Sequence, residues 1–214
     1  MLEKMGAFFD ARLEGYEDHQ LTCIVGAAEF YPFTAQCLPR EGHILDLGCG
    51  TGLKLNDYFA LAPEARVTGI DLAPGMLAEL QRKFPERELT LICGSYFDVP
   101  LGEGCFDAAV SVESLHHFTR EEKLPLYRKL HRSLKNDGYF LLTDYFSLSD
   151  AEEAMHRREL LRLKAEQGLS DSDFYHYDTP LTVDHEIQAL TAAGFSHVEI
   201  LNAWGATHTL KAWK

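Results

Sequence analysis

The sequence predicts an α/β fold in which a mostly parallel sheet is covered by helices on both faces. A short apolar run over residues 43–47 passes directly into a glycine-rich bend, and a helix with apolar residues at helical spacing begins at Leu53. Strands and helices then alternate as far as residue 143, which is typical of right-handed β-α-β crossovers. Two strands on either side of Gly205 are joined by a short turn, so they must pair antiparallel.

The first part of the chain, residues 1–40, is predicted to be helical. Apolar residues recur at helical spacing over residues 5–16, which predicts an amphipathic helix that ends near Gly15. A second helical stretch is expected over residues 21–38, with a break at Pro32 because proline lacks the backbone donor that a helix interior needs.

The alternating part of the chain contains five predicted strands with helices between them. One helix begins at Pro74, where proline suits a first turn, and another covers residues 121–134. The second helix is expected to stop in the Lys-Asn-Asp-Gly sequence that finishes at Gly138. The strands are predicted over residues 43–47, 66–71, 89–93, 106–111 and 139–143.

The pattern changes after the fifth strand, although the chain of 214 residues is expected to form one domain, 1–214. A long charged helix is expected from Ser149 to about Gly168, followed by an irregular stretch rich in Asp, Tyr and His up to Pro180. The remaining elements are a helix over residues 183–193 and strands over residues 198–203 and 207–213.

The composition argues against several classes of partner. The formal net charge of −13 disfavours nucleic acid, because proteins that bind it gain most of their affinity from Lys and Arg contacts to phosphate. No apolar run approaches the roughly 20 residues needed to cross a bilayer, so no membrane partner is expected. The acidic N-terminal segment lacks the apolar core of a secretory signal, and a cytoplasmic location is therefore expected.

The five cysteines are odd in number and include no Cys-x-x-Cys pair. A disulfide framework or a zinc site is therefore not expected, and the cysteines are interpreted as reduced thiols. The sequence predicts no metal ligands.

The glycine-rich bend, Gly48-Cys49-Gly50-Thr51-Gly52, is compatible with neither of two common nucleotide sites. A dinucleotide site has the spacing G-x-G-x-x-G, but Leu53 stands where the third glycine would be. A phosphate loop has G-x-x-x-x-G-K-[ST], and Leu53 also breaks that spacing although Lys54 follows it.

The bend instead resembles the first motif, D-x-G-x-G, of the class I S-adenosylmethionine (SAM) methyltransferases. Gly69-Ile70-Asp71 at the end of the next strand resembles the second motif of that family. The helix start over residues 72–77 resembles D-x-S-x-x-M-L, with Ala73 in the place of serine. The remaining motifs resemble residues 93–101, 106–118 and 134–140, so the resemblance covers roughly residues 40–145.

This resemblance implies a Rossmann-like, seven-stranded sheet of order 3-2-1-4-5-7-6 with the last strand antiparallel. Residues 1–40 would form an N-terminal helical cover, and residues 149–180 a helical lid insertion after strand 5. The implied cofactor is SAM, with S-adenosylhomocysteine (SAH) as its product.

The resemblance also implies roles for individual residues. Asp71 would accept hydrogen bonds from both ribose hydroxyls, and Asp46 would orient the glycine-rich bend near the amino group of SAM. Ser95 stands where many relatives carry an Asp that contacts adenine, so this contact would shift to backbone or to Asp98. The implied cofactor-binding residues are Tyr16, Asp46, Gly48, Cys49, Gly50, Asp71, Leu72, Met76, Gly94, Ser95, Tyr96, Phe97, Val112 and Glu113.

Methyl transfer from a sulfonium needs positioning and, for some acceptors, a base. His116, His117 and His176 are the candidate catalytic residues, because imidazole titrates near neutrality. Each of them also has a structural interpretation. Other candidate bases at the strand ends are Glu113, Asp144 and Tyr145.

The predicted function is methyl transfer from SAM to a small molecule by a monomer or homodimer. Two alternatives are a non-catalytic SAM-binding regulatory protein and a methyltransferase that acts on RNA or protein. A nicotinamide oxidoreductase is a further alternative, although the sequence contains no Tyr-x-x-x-Lys pair. The abundance of acidic residues favours an uncharged or cationic acceptor.

Overall fold

The computed structural model describes residues 1–170 and 173–214. Within this part of the chain, seven strands form one sheet and eight α-helices surround it. The strands are β1 (His43–Leu47), β2 (Arg66–Asp71), β3 (Leu89–Cys93), β4 (Phe106–Val112), β5 (Leu134–Tyr145), β6 (His197–Trp204) and β7 (Thr207–Trp213). The helices are α1 (Met5–Asp10), α2 (Tyr16–Cys23), α3 (Ala27–Cys37), α4 (Leu53–Leu61), α5 (Pro74–Lys83), α6 (Arg120–Ser133), α7 (Asp150–Gln167) and α8 (Val183–Ala193).

The strand order is β3-β2-β1-β4-β5-β7-β6. The first five strands of the chain pair in parallel, whereas β7 lies antiparallel between β5 and β6. This arrangement confirms the predicted Rossmann-like sheet and its antiparallel last strand. In such a sheet the carboxyl ends of the parallel strands meet at one edge, where ligands bind.

The central strand β1 explains why the core has two layers. Its side chains alternate between faces, so Leu45 and Leu47 pack beneath α6 and α8 while Ile44 packs beneath α3 and α4. All three are fully buried. A strand covered on both faces needs apolar residues at successive positions, which is the run that the sequence shows.

Helices α6 and α8 are joined by a buried polar cluster. Nζ of Lys123 on α6 lies 2.6 Å from Oε2 of Glu186 on α8, and the hydroxyl of Tyr127 donates to the other oxygen of the same carboxylate. The exposed fractions of Lys123 and Glu186 are 1% and 0%. Because both charges lie away from water, each depends on the other.

Some predicted boundaries are wrong. The second helical stretch breaks at residues 24–26, where Gly26 has a left-handed φ of 82°, and Pro32 lies inside α3. The first stretch is likewise divided, since Tyr16 begins α2 after a separate α1. The residues before Gly138 that were predicted to end a helix belong instead to β5. The register of β5 against β4 shifts between Phe106 and Ala108.

Helix α7 follows β5 within the predicted lid insertion, 149–180. Residues 171 and 172 of this insertion lie outside the described residues. Among residues 1–170 and 173–214, no helix has both the length and the apolarity required to span a bilayer.

Candidate functional site

The glycine-rich bend follows β1 and is held against the end of β2. The backbone N–H groups of Gly48 and Cys49 both donate to the carbonyl oxygen of Ile70, at 2.9 and 3.2 Å. A Cβ at Gly48 would lie 2.1 Å from Oγ of Ser114, and φ at this residue is +65°. Only glycine fits both the left-handed backbone and the close approach.

Gly50 faces open space. A Cβ there would meet only the hydroxyl of Tyr16, at 3.9 Å, so the backbone of the bend is exposed to a cleft at the edge of the sheet.

Asp71 at the end of β2 connects the bend to the next helix. One of its carboxylate oxygens accepts from the N–H of Gly50 at 2.8 Å, and the other accepts from the N–H of Ala73 at 2.9 Å. Burial raises the pKa of Asp71, and these two backbone bonds oppose the rise. Since a carboxylate oxygen has two lone pairs, each oxygen can still accept one further hydrogen bond.

These elements form a narrow cleft of about 50 Å³, here called the cofactor cleft. Met5 and Phe9 of α1 close it from the N-terminal side, and Ser114 lines it beside the bend. The residues predicted to bind the cofactor that line this cleft are Tyr16, Gly48, Gly50, Asp71, Leu72, Met76, Tyr96, Val112 and Glu113.

The other residues predicted to bind the cofactor lie outside the walls of this cleft. Asp46 is fully buried beneath the bend, with Oδ1 at 3.0 Å from Nζ of Lys54. Burial raises the pKa of Asp46 and the Lys54 charge opposes the rise. Cys49 is buried against Gly69, where an added Cβ would lie 2.8 Å from its sulfur.

The segment after β3 lies beside the cofactor cleft. The N–H of Gly94 donates to the carbonyl of Asp71 at 2.8 Å, and Oγ of Ser95 accepts from the N–H of Phe97 at 3.1 Å. The ring of Phe97 packs against Phe118. These contacts give Gly94, Ser95 and Phe97 a structural role, and their contact with the cofactor stays a prediction.

A second cavity of about 940 Å³, here called the large cavity, adjoins the cofactor cleft. Phe9, Tyr16, Glu113 and His117 line both spaces, so the two share a wall. The large cavity is also lined by His116, His176, Tyr145 and Asp178. The structure therefore brings the three candidate catalytic histidines together.

Glu113 stands at the boundary of the two spaces in an unusual backbone conformation. It is the one non-glycine residue with positive φ, 51°, in the described part of the chain. Its N–H donates to the carbonyl of Thr143 at 2.9 Å, and Oγ1 of Thr207 donates to its carboxylate at 3.3 Å. Burial raises the pKa of Glu113 to about 7. Strained backbone of this kind persists where the surroundings hold it, and it clusters at functional sites.

Asp144 at the end of β5 orients His116. Its Oδ1 lies 2.5 Å from Nδ1 of His116, and its Oδ2 accepts from the N–H groups of Leu115 and His116 at 2.8 and 3.1 Å. Burial alone would lower the pKa of His116 and raise that of Asp144. The attraction between the two groups outweighs burial, so the pKa of His116 lies above its usual value and that of Asp144 below.

His117 and His176 lie in different surroundings. Burial, together with the charge of His116, lowers the pKa of His117 to about 4. Nδ1 of His117 lies 3.0 Å from Oδ1 of Asp178. The ring of His176 stacks on Phe8 of α1, with the centroids 3.5 Å apart, and burial lowers its pKa.

The N-terminal helices are joined to the end of the predicted insertion. The N–H of Met5 donates to the carbonyl of Phe174 at 3.0 Å, and Lys4 forms a β-bridge with Tyr175. Met5 and Phe9 line the cofactor cleft but were not predicted to belong to the site. Their regular spacing was a signal of amphipathic packing, but it did not reveal what the apolar face would cover.

Residues 45–142 match the family model described as methyltransferase domain. This stretch of the chain belongs to the methyltransferase-domain family, and the sheet has the Rossmann-like methyltransferase fold.

Two curated relatives of this methyltransferase carry different descriptions. Demethylmenaquinone methyltransferase of Symbiobacterium thermophilum is 32% identical over 141 residues, which are 62% of this chain and 55% of the relative. The biotin biosynthesis bifunctional protein BioHC of Teredinibacter turnerae is 31% identical over 167 residues, which are 67% of this chain and 29% of the relative. The chain thus spans about half the length, or less, of these relatives.

Solved structures share the fold. The DhpI–SAH complex superposes with a TM-score of 0.72 at 17% identity and covers 96% of this chain and 93% of its own. A SAM-dependent methyltransferase from Mesorhizobium loti has a TM-score of 0.61 at 21% identity, with coverages of 86% and 96%.

The cofactor predicted for this methyltransferase is SAM, and one structure with the same fold, the DhpI–SAH complex, contains its product. The walls of the cofactor cleft carry groups that would match parts of SAM, although its volume of about 50 Å³ is smaller than the cofactor. Asp71 would offer paired oxygens to a ribose diol, and Leu72 and Met76 would offer apolar surface to a base. The open space beside Gly50 would receive the methionine end.

Proposed function

We propose that the methyltransferase transfers the methyl group of SAM to a small molecule bound in the large cavity. The main support is that the large cavity and the cofactor cleft share one wall. The shared wall consists of Phe9, Tyr16, Glu113 and His117. A volume of about 940 Å³ is within the range of small-molecule sites. The N-terminal helices lie across this space, which favours a compact acceptor over a macromolecule.

The charges around the large cavity favour an uncharged or cationic acceptor. Glu113 and Asp178 contribute carboxylates to its lining. Arg12 also lines it, but its guanidinium lies 3.0 Å from the carboxylate of Glu3 and over the ring of Phe8. The charge of His116 is opposed by Asp144. An anionic acceptor would therefore meet repulsion, and among the described residues that line the cavity no free cation compensates for it.

SAM supplies the methyl group and the leaving group of an in-line displacement. The residues of the chain hold the acceptor against it and remove a proton. We propose Glu113 as the general base, because its carboxylate lies at the boundary between the two spaces and is partly buried. His116 is less suited to this role, since Nδ1 is bound to Asp144 and Nε2 points toward Asp178 at 3.6 Å.

The experiment is transfer from tritiated-methyl SAM to a panel of phenols, alcohols and amines, with carboxylic acids and RNA as comparison acceptors. We expect labelled product from members of the uncharged or cationic set. Labelling of carboxylates or RNA alone would contradict the proposed acceptor class. If SAM binds and no acceptor in the panel is labelled, the result supports a non-catalytic SAM-binding protein.

A further inference from the structure

We propose that His116, His117 and Asp178 bind one divalent transition-metal ion at the floor of the large cavity. Each of the three residues offers one ligand atom within 4.8 Å of the others, and Nε2 of His116 and Nδ1 of His117 both face Oδ1 of Asp178. The sequence predicted no metal site, because its cysteines lack ligand spacing and Asp178 is remote from the histidine pair in the chain.

The separations of these atoms suit a common metal ion. Oδ1 of Asp178 lies 3.0 Å from Nδ1 of His117 and 3.6 Å from Nε2 of His116. Two ligand atoms each about 2.1 Å from a metal are about 3.0 Å apart at a right angle and about 3.4 Å apart at a tetrahedral angle. The three atoms therefore need little movement to coordinate one ion.

Two of these atoms are buried and lack a well-aligned hydrogen bond. Nδ1 of His117 and Oδ1 of Asp178 are 3.0 Å apart and attract each other, but their alignment is too poor for a full hydrogen bond. The side chain of His117 is 4% exposed. Buried polar atoms without partners are rare because desolvation is costly, and an ion between the two would satisfy both.

Asp144 completes the arrangement around His116. Its Oδ1 accepts from Nδ1 of His116, and its Oδ2 is fixed by two backbone N–H groups. When an ion displaces the proton of Nε2, this bond keeps the remaining ring proton on Nδ1 and leaves Nε2 as the ligand atom facing Asp178. Metal-binding histidines commonly have such a carboxylate behind them, which fixes the tautomer and the ring orientation.

The backbone fixes Asp178 beside the histidine pair. The N–H of Thr179 donates to the carbonyl of His116 at 2.7 Å, so the residue next to Asp178 is attached to the turn that carries both histidines. Oγ of Ser147 donates to the carbonyl of Pro180 at 2.9 Å and holds the following residues. The third ligand is therefore positioned before an ion binds.

Two imidazoles and one carboxylate suit Zn²⁺, Fe²⁺, Co²⁺ or Mn²⁺ better than Mg²⁺. Three protein ligands leave coordination positions open toward the large cavity. This inference deepens the proposed function: a hydroxyl oxygen of the acceptor at an open position would lose its proton more readily. The proton passes to Glu113, the oxygen forms a bond to the methyl carbon, and the carbon–sulfur bond breaks with its electrons moving to sulfur.

The test measures Co²⁺ binding by the untagged protein, using equilibrium dialysis and the visible absorption of the bound ion. We expect one ion per chain with micromolar affinity. His117→Gln and Asp178→Asn should each weaken binding at least tenfold and remove the visible band. The matched control is His185→Gln. His185 is partly exposed, and its Nδ1 lies 2.9 Å from the carboxylate of Glu153. This variant therefore reports nonspecific Co²⁺ binding by another imidazole–carboxylate pair.

Calorimetry with SAH checks that each variant still folds and binds cofactor. The metal site would be overturned if the native protein failed to bind one Co²⁺ ion per chain in dialysis. It would also be overturned if all variants bound Co²⁺ as tightly as the native protein. Methyl transfer that is undiminished after chelation would overturn the role of the ion in the reaction and leave the proposed function intact. Co²⁺ binding lost only in the site variants supports the site even if no acceptor is methylated.

Discussion

Replacing Asp71 by Asn removes one negative oxygen from the cofactor cleft and leaves the shape of the side chain almost unchanged. The carboxylate of Asp71 is proposed to accept hydrogen bonds from the ribose hydroxyls of SAM. Hydrogen bonds to charged groups contribute about 1.5–3 kcal/mol, so Asp71→Asn should weaken SAM binding about 10- to 150-fold.

The same substitution also affects the free protein. The amide NH₂ of the new side chain must face either the N–H of Gly50 or that of Ala73, and both of those groups are donors. Loss of one backbone bond costs about 1 kcal/mol, which lowers the melting temperature by about 2–4 °C for a domain of this size. The variant should therefore remain folded at the temperature of a binding assay.

Isothermal calorimetry with SAM and SAH measures the effect directly. Asp137→Asn is the matched control, since Asp137 is exposed and remote from the bend. Cofactor affinity that is unchanged in Asp71→Asn would refute the ribose assignment. Equal weakening in the control would indicate a general charge effect instead.

Three further substitutions test other parts of the structure. Glu113→Gln should lower kcat about 100-fold or more, because a neutral amide cannot accept the proton; labelled methyl transfer measures this, and calorimetry with SAH measures separately any change at this wall of the cofactor cleft. Gly48→Ala should abolish SAH binding measured by calorimetry, since its Cβ would clash at 2.1 Å, whereas Gly104→Ala should preserve binding because nothing lies within 4 Å of that Cβ. Lys123→Met should destabilise the fold by about 3–5 kcal/mol by leaving a buried carboxylate without its partner, seen as a fall in melting temperature of at least about 6 °C. Lys135→Met breaks an ion pair whose lysine side chain is 42% exposed and should cost about 1 kcal/mol or less.

Each of these predictions has a contradicting outcome. Full activity in Glu113→Gln would exclude that carboxylate as the base. Normal cofactor binding in Gly48→Ala would show that the bend can move away from Ser114. Similar melting temperatures for the two lysine variants would mean that the buried ion pair contributes no more than the exposed one.

The sheet could be predicted because its strands have strong local signals. Ile44, Leu45 and Leu47 are apolar because β1 is buried on both faces, and the short turn at Gly205 requires an antiparallel pair. The helix boundaries near the N-terminus were less predictable. Pro32 remains inside α3 because the tight packing of that helix against the sheet outweighs the cost of one lost backbone bond.

The position of the cleft at the edge of the sheet could be predicted for a related reason, whereas its cofactor contacts stay predictions. Asp71, Gly48 and Glu113 follow strand ends, and the carboxyl ends of parallel strands meet at one edge. Phe9, Asp178 and Thr207 come from the N-terminal helices, the insertion and the hairpin. Their contact with the large cavity depends on how distant segments pack, which local sequence patterns do not specify.

Phe9 and Tyr16 form part of the walls of both the cofactor cleft and the large cavity. Any shift of these rings that widens one space reshapes the other, so the two binding equilibria are thermodynamically linked. Linkage is reciprocal: the factor by which cofactor changes acceptor affinity equals the factor by which acceptor changes cofactor affinity. Substitution of either ring should therefore change this coupling factor as well as the two separate affinities.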